Sequence, residues 1–511
     1  MVLLHHPFNL IYRTKVFIPM KINSITALAG AGKTHTMIKE INHNISSSNE
    51  KYIVLAPTIR LCDQIAKDLH DVKTIHSEVD DIKHSSVELR SMISQGQKVI
   101  CSTHQSFAHV IKGSEIDLSE YNLIIDEVPA ALLEAQIQLD KESFNFITEL
   151  VAFNTSERFN GFTEIHPKDL DVLKHKLSKD APELYKTKNV KLFIESVANG
   201  AYITLIPSDA LSEFRSRINE DNARLDTVSL LRPEVLTGAK SCTVMSAFMD
   251  FTEFSMVMKA QGVMFNEQDI QVRYKEHTNG DRLKVKYFSE KLNSKRFANQ
   301  KNIDGKSNIQ IIVDLIQGEL AGEQYIFNAN VMHRDLFKNR DGEVHSNAHE
   351  VTSIHGVNHL QSIHNAVYLP AMNPNSSSTK VLEYLGLSSQ DIIFARNQLL
   401  AYQFLMRTSL RDPNQIEDVS FYCIDRLTAE FISTVFGCAI EKIQIDLVKE
   451  IDGREANGGE RNGAGRKKNS PELDELSKEI KRLSRHKTPD LNKIADLKAE
   501  RKQLREILKA S

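Results

Sequence analysis

Two short segments carry residue types at spacings suited to phosphate chemistry. The first is Ser24-Ile25-Thr26-Ala27-Leu28-Ala29-Gly30-Ala31-Gly32-Lys33-Thr34. An apolar strand ends there, a loop of small residues turns, and a helical pattern (Met37, Ile38, Ile41) begins at about Lys33. In such a loop the backbone N–H groups of Gly30, Ala31 and Gly32 and of the helix start point at bound phosphates. Lys33 is placed to neutralise the β- and γ-phosphates, and Thr34 to offer its hydroxyl to Mg2+. Gly30 and Gly32 give backbone freedom, while Ala27 stands where the strict pattern has its first glycine. The second segment, Tyr121–Pro129, is an apolar strand ending in two acids, Asp126 and Glu127. Asp126 would hold Mg2+, largely through water, and Glu127 would orient and deprotonate an attacking water. Together they predict an enzyme that hydrolyses ATP with Mg2+.

Elements must bring these residues together. Ser24–Leu28, Tyr52–Ala56, Val99–Ser102 and Leu123–Asp126 are continuous apolar runs with amphipathic helical segments between them. That order predicts an α/β domain with a parallel sheet covered on both faces. Residues 131–240 read as a mainly helical insertion, with helical segments such as Asp169–Leu177 and one short strand near Ala201–Ile206. Strands resume at Ser241–Met245, so 23–130 and 241–265 are expected to form the first domain. A second α/β domain is expected over 266–450, with strands Tyr325–Ala329, Ala366–Leu369 and Ser420–Ile424. Residues 1–22 read as an N-terminal arm. Residues 451–470 are rich in Gly, Asn and charge, the signature of a linker. Over 471–511, Leu473, Leu476, Ile480 and Leu483, then Ile494, Leu497, Leu504 and Leu508, predict a helical hairpin or coiled coil suited to self-association.

Composition narrows the field. The 511 residues are 41% hydrophobic and 26% charged, with a net charge of -3, so a nucleic-acid surface must be local. One basic region is the segment Arg466–Ser511, where 14 Lys and Arg face 8 Asp and Glu. The five cysteines are scattered and never form C-x-x-C, which predicts reduced thiols in a cytoplasmic protein rather than a disulfide framework or zinc ribbon. No apolar stretch approaches the roughly 20 residues that cross a bilayer, so no membrane role is expected.

With these motifs the chain resembles superfamily 2 helicases of the DEAD/DEAH-like group, especially those of bacteriophage and replication type, over 23–130 and 241–430. Val54-Leu55-Ala56-Pro57-Thr58-Ile59-Arg60 looks like motif Ia, whose loop touches the backbone of the bound strand; Pro57, Thr58 and Arg60 would make that contact. Thr74-Ile75-His76 and Ser102-Thr103-His104-Gln105 look like further strand-end loops, adding Thr103 and His104. Thr243–Ala247 looks like the SAT motif, with Phe248 where Thr would stand. Thr352–Asn358 resembles motif V, and a metal reading of His355, His359 and His364 lacks paired carboxylates or cysteines. Gln403–Arg411 resembles motif VI; Arg407 and Arg411 lie four apart, share one face if helical, and one would be the arginine finger. The resemblance implies two RecA-like domains with ATP between them. It further implies translocation on single-stranded or forked DNA, less readily RNA, in phage or plasmid replication or recombination, with replication proteins as partners. Two rivals stand beside it: a nucleic-acid-stimulated ATPase that remodels or packages DNA without unwinding, and a P-loop regulatory protein.

Overall fold

The computed structural model describes residues 20–79, 85–111, 116–139, 141–176, 188–218, 223–339, 341–351 and 360–448. The chain divides into two units, Met1–Val448 and Lys449–Ser511. The expected linker and hairpin fall in the second unit, outside the described residues. Residues 1–19 of the arm and the motif V-like segment Thr352–Asn358, with His355 and His359, also lie outside them.

The first strands follow the apolar runs: β1 (Met20–Thr26), β2 (Lys51–Ala56), β3 (Val72–Ile75), β4 (Val99–Thr103) and β5 (Tyr121–Asp126). Between them lie α1 (Lys33–Ser47), α2 (Ile59–Asp68), α3 (Ser85–Ser94) and α4 (His104–Ile111). Strands β6 (Leu132–Gln138), β7 (Val151–Thr155), β8 (Phe162–Pro167), β9 (Tyr202–Pro207) and β10 (Arg224–Leu231) follow, before β11 (Ser241–Ser246) and β12 (Val263–Glu267). The first sheet runs β12-β1-β11-β5-β2-β4-β3, parallel throughout. All its strands therefore end on one edge, the edge from which connecting loops project. Register puts Thr26 opposite Ser246 and Met245 opposite Asp126, so the SAT-like strand lies between the glycine loop and the acids. Leu123, Ile124 and Ile125 are buried on both faces of the sheet, and truncating one to alanine would cost roughly 2–5 kcal/mol.

The expectation that this insertion holds one short strand among its helices is corrected. Strands β6 to β10 form a five-stranded antiparallel sheet, order β6-β10-β9-β8-β7. One face shares a core with the first sheet through Leu205, Val228 and Leu230; the other packs its own helices around Phe193, Ile194 and Phe214. The strands were hard to read because several alternate. In Leu132–Gln138, Glu134, Gln136 and Gln138 interrupt the apolar positions, and these are also helix-forming residues.

The second lobe holds β13 (Leu283–Ser289), β14 (Tyr325–Asn328), β15 (Ala348–Glu350), β16 (Asn365–Tyr368), β17 (Val419–Asp425) and β18 (Ile440–Lys442). They form a second parallel sheet, order β15-β14-β16-β17-β13-β18. The two lobes meet where Leu28, Ala29 and Phe248 of the first pack against the core of the second, which includes Tyr402 and Leu405. Between β12 and β13 the chain crosses from lobe to lobe as an irregular strap, residues 268–282.

Candidate nucleotide site

The glycine loop leaves β1 and α1 starts at Lys33. Gly30 and Gly32 adopt φ of 82° and 95°, the left-handed region that costs a residue with a Cβ about 1–2 kcal/mol. At Gly30 a Cβ would also lie 2.6 Å from the Tyr274 hydroxyl. The Lys33 ammonium folds back onto its own loop, donating to the carbonyls of Ala27 (2.8 Å) and Leu28 (3.2 Å). Burial lowers its pKa, opposed by the charges of Glu127 and Asp126.

At the end of β5 the Thr34 hydroxyl donates to Asp126 Oδ2 at 2.9 Å. Burial, reinforced by Glu127, raises Asp126 to a pKa of about 6, while Lys33 and Thr34 pull it down. A hydroxyl and a buried carboxylate are hard oxygen donors of the kind a divalent cation such as Mg2+ takes. Glu127 has φ of 63°, in the left-handed region. Its Oε2 accepts from Ser246 Oγ of β11 and from Gln403 Nε2 of the second lobe, both at 3.3 Å. The carboxylate is thus held by both lobes.

The second lobe brings Arg407 and Arg411 to the same pocket, whose volume is about 220 Å3 and whose walls include Gly30, Gly32, Lys33, Thr34, Asp126 and Glu127. The expectation that a helix aligns the two arginines is corrected. The helix Leu399–Leu405 stops before Arg407, and Arg411 closes a short 3-10 turn, Ser409–Arg411. Thr408, extended at φ -83° and ψ -177°, keeps the segment between them from being helical. Both side chains still reach the pocket. Arg407 is buried with its Nε lacking any hydrogen-bond partner, and burial, then the neighbouring Arg411, lowers its pKa to about 10. A buried guanidinium with an unsatisfied donor calls for an anion. His364, one of the three loop histidines, pairs its Nδ1 with Ser409 Oγ at 2.7 Å. Among the described residues no group of three or more His, Cys, Asp or Glu gathers.

Sequence reasoning missed the strap. Gln268 N–H donates to Ser24 O (2.8 Å), Thr36 Oγ1 to Gln271 O (2.8 Å), Arg273 N–H to Ala31 O (2.8 Å) and Tyr274 Oη to Ala29 O (2.7 Å). Further along, Asn279 Nδ2 donates to Leu410 O at 2.7 Å, and the buried Arg282 guanidinium binds the carbonyls of Asp412, Gln415 and Glu417. The strap therefore ties the glycine loop to the arginine segment. Phe248, in place of Thr, has φ of 51° and stacks edge-on with Tyr402 at 5.2 Å between centroids. Tyr402 in turn accepts from Ala29 N–H (2.9 Å) and pairs with His277 Nε2 (2.9 Å). An aromatic contact thus links the lobes where a hydroxyl was expected. Irregular backbone has no periodicity, so only the aromatic cluster Tyr274, His277 in the sequence hints at the strap.

Of the strand-end residues expected to meet nucleic acid, Pro57 and Thr58 are half-buried at the end of β2, Arg60 is exposed, and His104 is half-buried at the end of β4. Thr58 Oγ1 accepts from Leu61 N–H at 3.3 Å as the N-cap of α2, which still leaves its own proton to donate. Thr103 is corrected: it is only 6% exposed, and its hydroxyl donates to Ser106 Oγ (3.0 Å) and accepts from Ser106 N–H (3.1 Å). It caps α4 from inside. His76 is also buried, paired with Asp63 Oδ1 at 2.8 Å.

Two parallel sheets, with a glycine loop and acid pair on one and two arginines of the other in the same pocket, define a two-lobed P-loop ATPase. Residues 8–148 match the model of the family described as DEAD/DEAH box helicase. Solved structures with similarity include an XPD helicase, at 12% identity over 83% of this chain and 96% of that chain, with a TM-score of 0.46. Another is S. cerevisiae Dbp5 bound to RNA and ADP-BeF3, at 11% identity over 83% of this chain and 85% of that one, with a TM-score of 0.33. No curated protein matches the chain. Among the described residues, no helix is long and apolar enough to cross a membrane.

Proposed function

We propose that the chain moves along single-stranded or forked nucleic acid by closing and opening its two lobes around ATP, and unwinds duplex as it goes. The observation that carries this is the convergence of Lys33, Thr34, Asp126 and Glu127 from one lobe with Arg407 and Arg411 from the other. Mg2+, held by Thr34 and Asp126, would neutralise charge on the β- and γ-phosphate oxygens. Lys33 would leave the carbonyls of Ala27 and Leu28 and bind the same phosphates. Glu127 Oε2 would accept a proton from the attacking water, with Ser246 and Gln403 fixing its position. Arg407 and Arg411 would stabilise charge developing on the γ-phosphoryl group, and only when the lobes are together.

The track would lie along the edge where β2 and β4 end, touching Pro57, Thr58, Arg60 and His104 mostly through its backbone and so with little sequence preference. DNA as that track, and a role in phage or plasmid replication within the cytoplasm, rest on the resemblance of the motifs to replication-type helicases. The test is ATP turnover by the purified chain with and without single-stranded DNA or RNA, beside Lys33→Ala and Glu127→Gln. Stimulation by one polymer, lost in both variants, supports a motor and names its track; turnover indifferent to both polymers sinks the proposal. Strand displacement then separates unwinding from translocation alone.

A further inference from the structure

The pocket that gathers Lys33, Asp126 and the two arginines holds about 220 Å3, room for phosphates but not for a whole nucleoside triphosphate. It shares Gly30, Arg273 and Arg411 as walls with a second cavity of about 670 Å3. The strap from Arg273 to Asn279 forms one wall of that cavity and residues 410–414 the other.

Sheet order sets the direction of the bound molecule. The acids that act on the γ-phosphate stand at the end of β5, reached from β1 by way of β11. On the opposite side of β1 lies β12, from which the strap departs. A triphosphate with its γ end toward β5 trails its nucleoside away from β5, toward the strap and the larger cavity.

The chemistry of the wall suits a nucleoside. Tyr274 offers a half-buried aromatic ring, anchored by its hydroxyl to Ala29 O. The Arg273 side chain lies across Gly32, its Nε 3.5 Å from where a Cβ would stand, beside the phosphate end. Thr278, Gln361, Asp412 and Asn414 supply polar groups around the cavity. His277, its ring stacked on Phe436 at 4.3 Å, backs the wall as a neutral imidazole.

Building on the ATP site proposed above, we propose that the interlobe strap is the nucleoside subsite: Tyr274 is the stacking face for the base, and Arg273 binds at the phosphate end of the nucleoside. The same strap hydrogen-bonds to the glycine loop at Ala29 and Ala31 and to the arginine segment at Leu410, so a bound nucleoside bears on the connection between the lobes.

Calorimetric titration of the full chain with ADP and with inorganic tripolyphosphate, each with Mg2+, tests this. Tyr274→Ala should weaken ADP about tenfold or more, the scale of base–aromatic stacking, and leave tripolyphosphate within about twofold. Tyr274→Phe keeps the ring but loses its anchor on Ala29 O, so it should bind ADP more weakly than the parent and clearly more tightly than Tyr274→Ala. Arg273→Ala should weaken ADP as well. Equal loss of both ligands in Tyr274→Ala, loss of neither, or a Tyr274→Phe variant as weak as Tyr274→Ala would overturn the assignment. Lys33→Ala serves as the separate control: it should weaken both ligands, and if it weakens neither, the phosphate site itself is misplaced.

Discussion

Replacing Glu127 separates its chemistry from its backbone. At φ of 63° a residue with a Cβ carries about 1–2 kcal/mol of steric cost. Glu127→Gly removes that cost, offset by roughly 0.5–1 kcal/mol of extra chain entropy in the unfolded state. Glu127→Ala keeps the strain. Both variants lose the carboxylate that accepts from Ser246 and Gln403, so that loss cancels in the comparison. The glycine variant should therefore be the more stable of the two, by up to about 1.5 kcal/mol. Both should lose ATP turnover by about 10^2–10^4-fold, the contribution of a positioned general base. Urea unfolding of the two proteins, with steady-state hydrolysis under saturating ATP and polymer, measures both quantities. A glycine variant clearly less stable than the alanine variant would refute the strain argument. Turnover within tenfold of the parent in either would refute the role of the base.

Three further outcomes follow from the same geometry. Arg407→Ala combined with Arg411→Ala should lower ATP turnover by about 10^3-fold or more, the scale of an arginine finger; unchanged turnover would remove both from the mechanism. Burial lowers His277 to a pKa of about 4 from 6.5, so the unfolded chain binds its proton first. Its contribution to stability is whole above pH 6.5 and is lost as pH falls toward 4. Acid unfolding of His277→Gln should accordingly show a shallower slope across that window than the parent. Arg396 bridges Glu253 (2.5 and 3.1 Å) and Glu134 (2.6 Å), joining the second lobe to the first and to the insertion. Arg396→Ala strands the half-buried Glu253 carboxylate and frees the exposed Glu134, and should cost roughly 1–2 kcal/mol in urea unfolding, while Arg396→Lys should recover part of it.

The first sheet was legible because strands buried on both faces of a parallel sheet read as unbroken apolar runs. Tyr52–Ala56, Val99–Thr103 and Leu123–Ile125 are such runs. The glycine loop and the acid pair were legible because each is contiguous in sequence. What the sequence obscured has physical causes. β13 alternates Lys284 and Lys286 with apolar positions, so it carries no apolar run. In the insertion, β6 at the sheet edge alternates likewise, whereas β9, buried along its whole length, is the strand whose apolar run was legible. The helix before Arg407 ends at Leu405 without a Gly or Pro, and Thr408 then caps the next turn, its hydroxyl accepting from Leu410 N–H. Thr103 has the composition of a surface contact and the position of an internal cap. The strap was invisible since its role depends on where β12 lies in space, not on its own pattern.

The place of β1 in the sheet has a consequence for biosynthesis. Among the described residues it is the first strand in chain order, yet its two neighbours are β11 and β12, and Glu267 closes the pairing 241 positions after Thr26. At roughly 5–20 residues per second, the strand that carries the glycine loop waits about 12–48 s for partners. Throughout that interval Ile22 and Ile25, both buried in the finished sheet, remain available to whatever binds nascent apolar segments. The insertion, whose five strands pair only with one another, completes its own sheet first. A nascent chain halted before residue 241 would therefore carry a folded appendage on an unfinished ATPase.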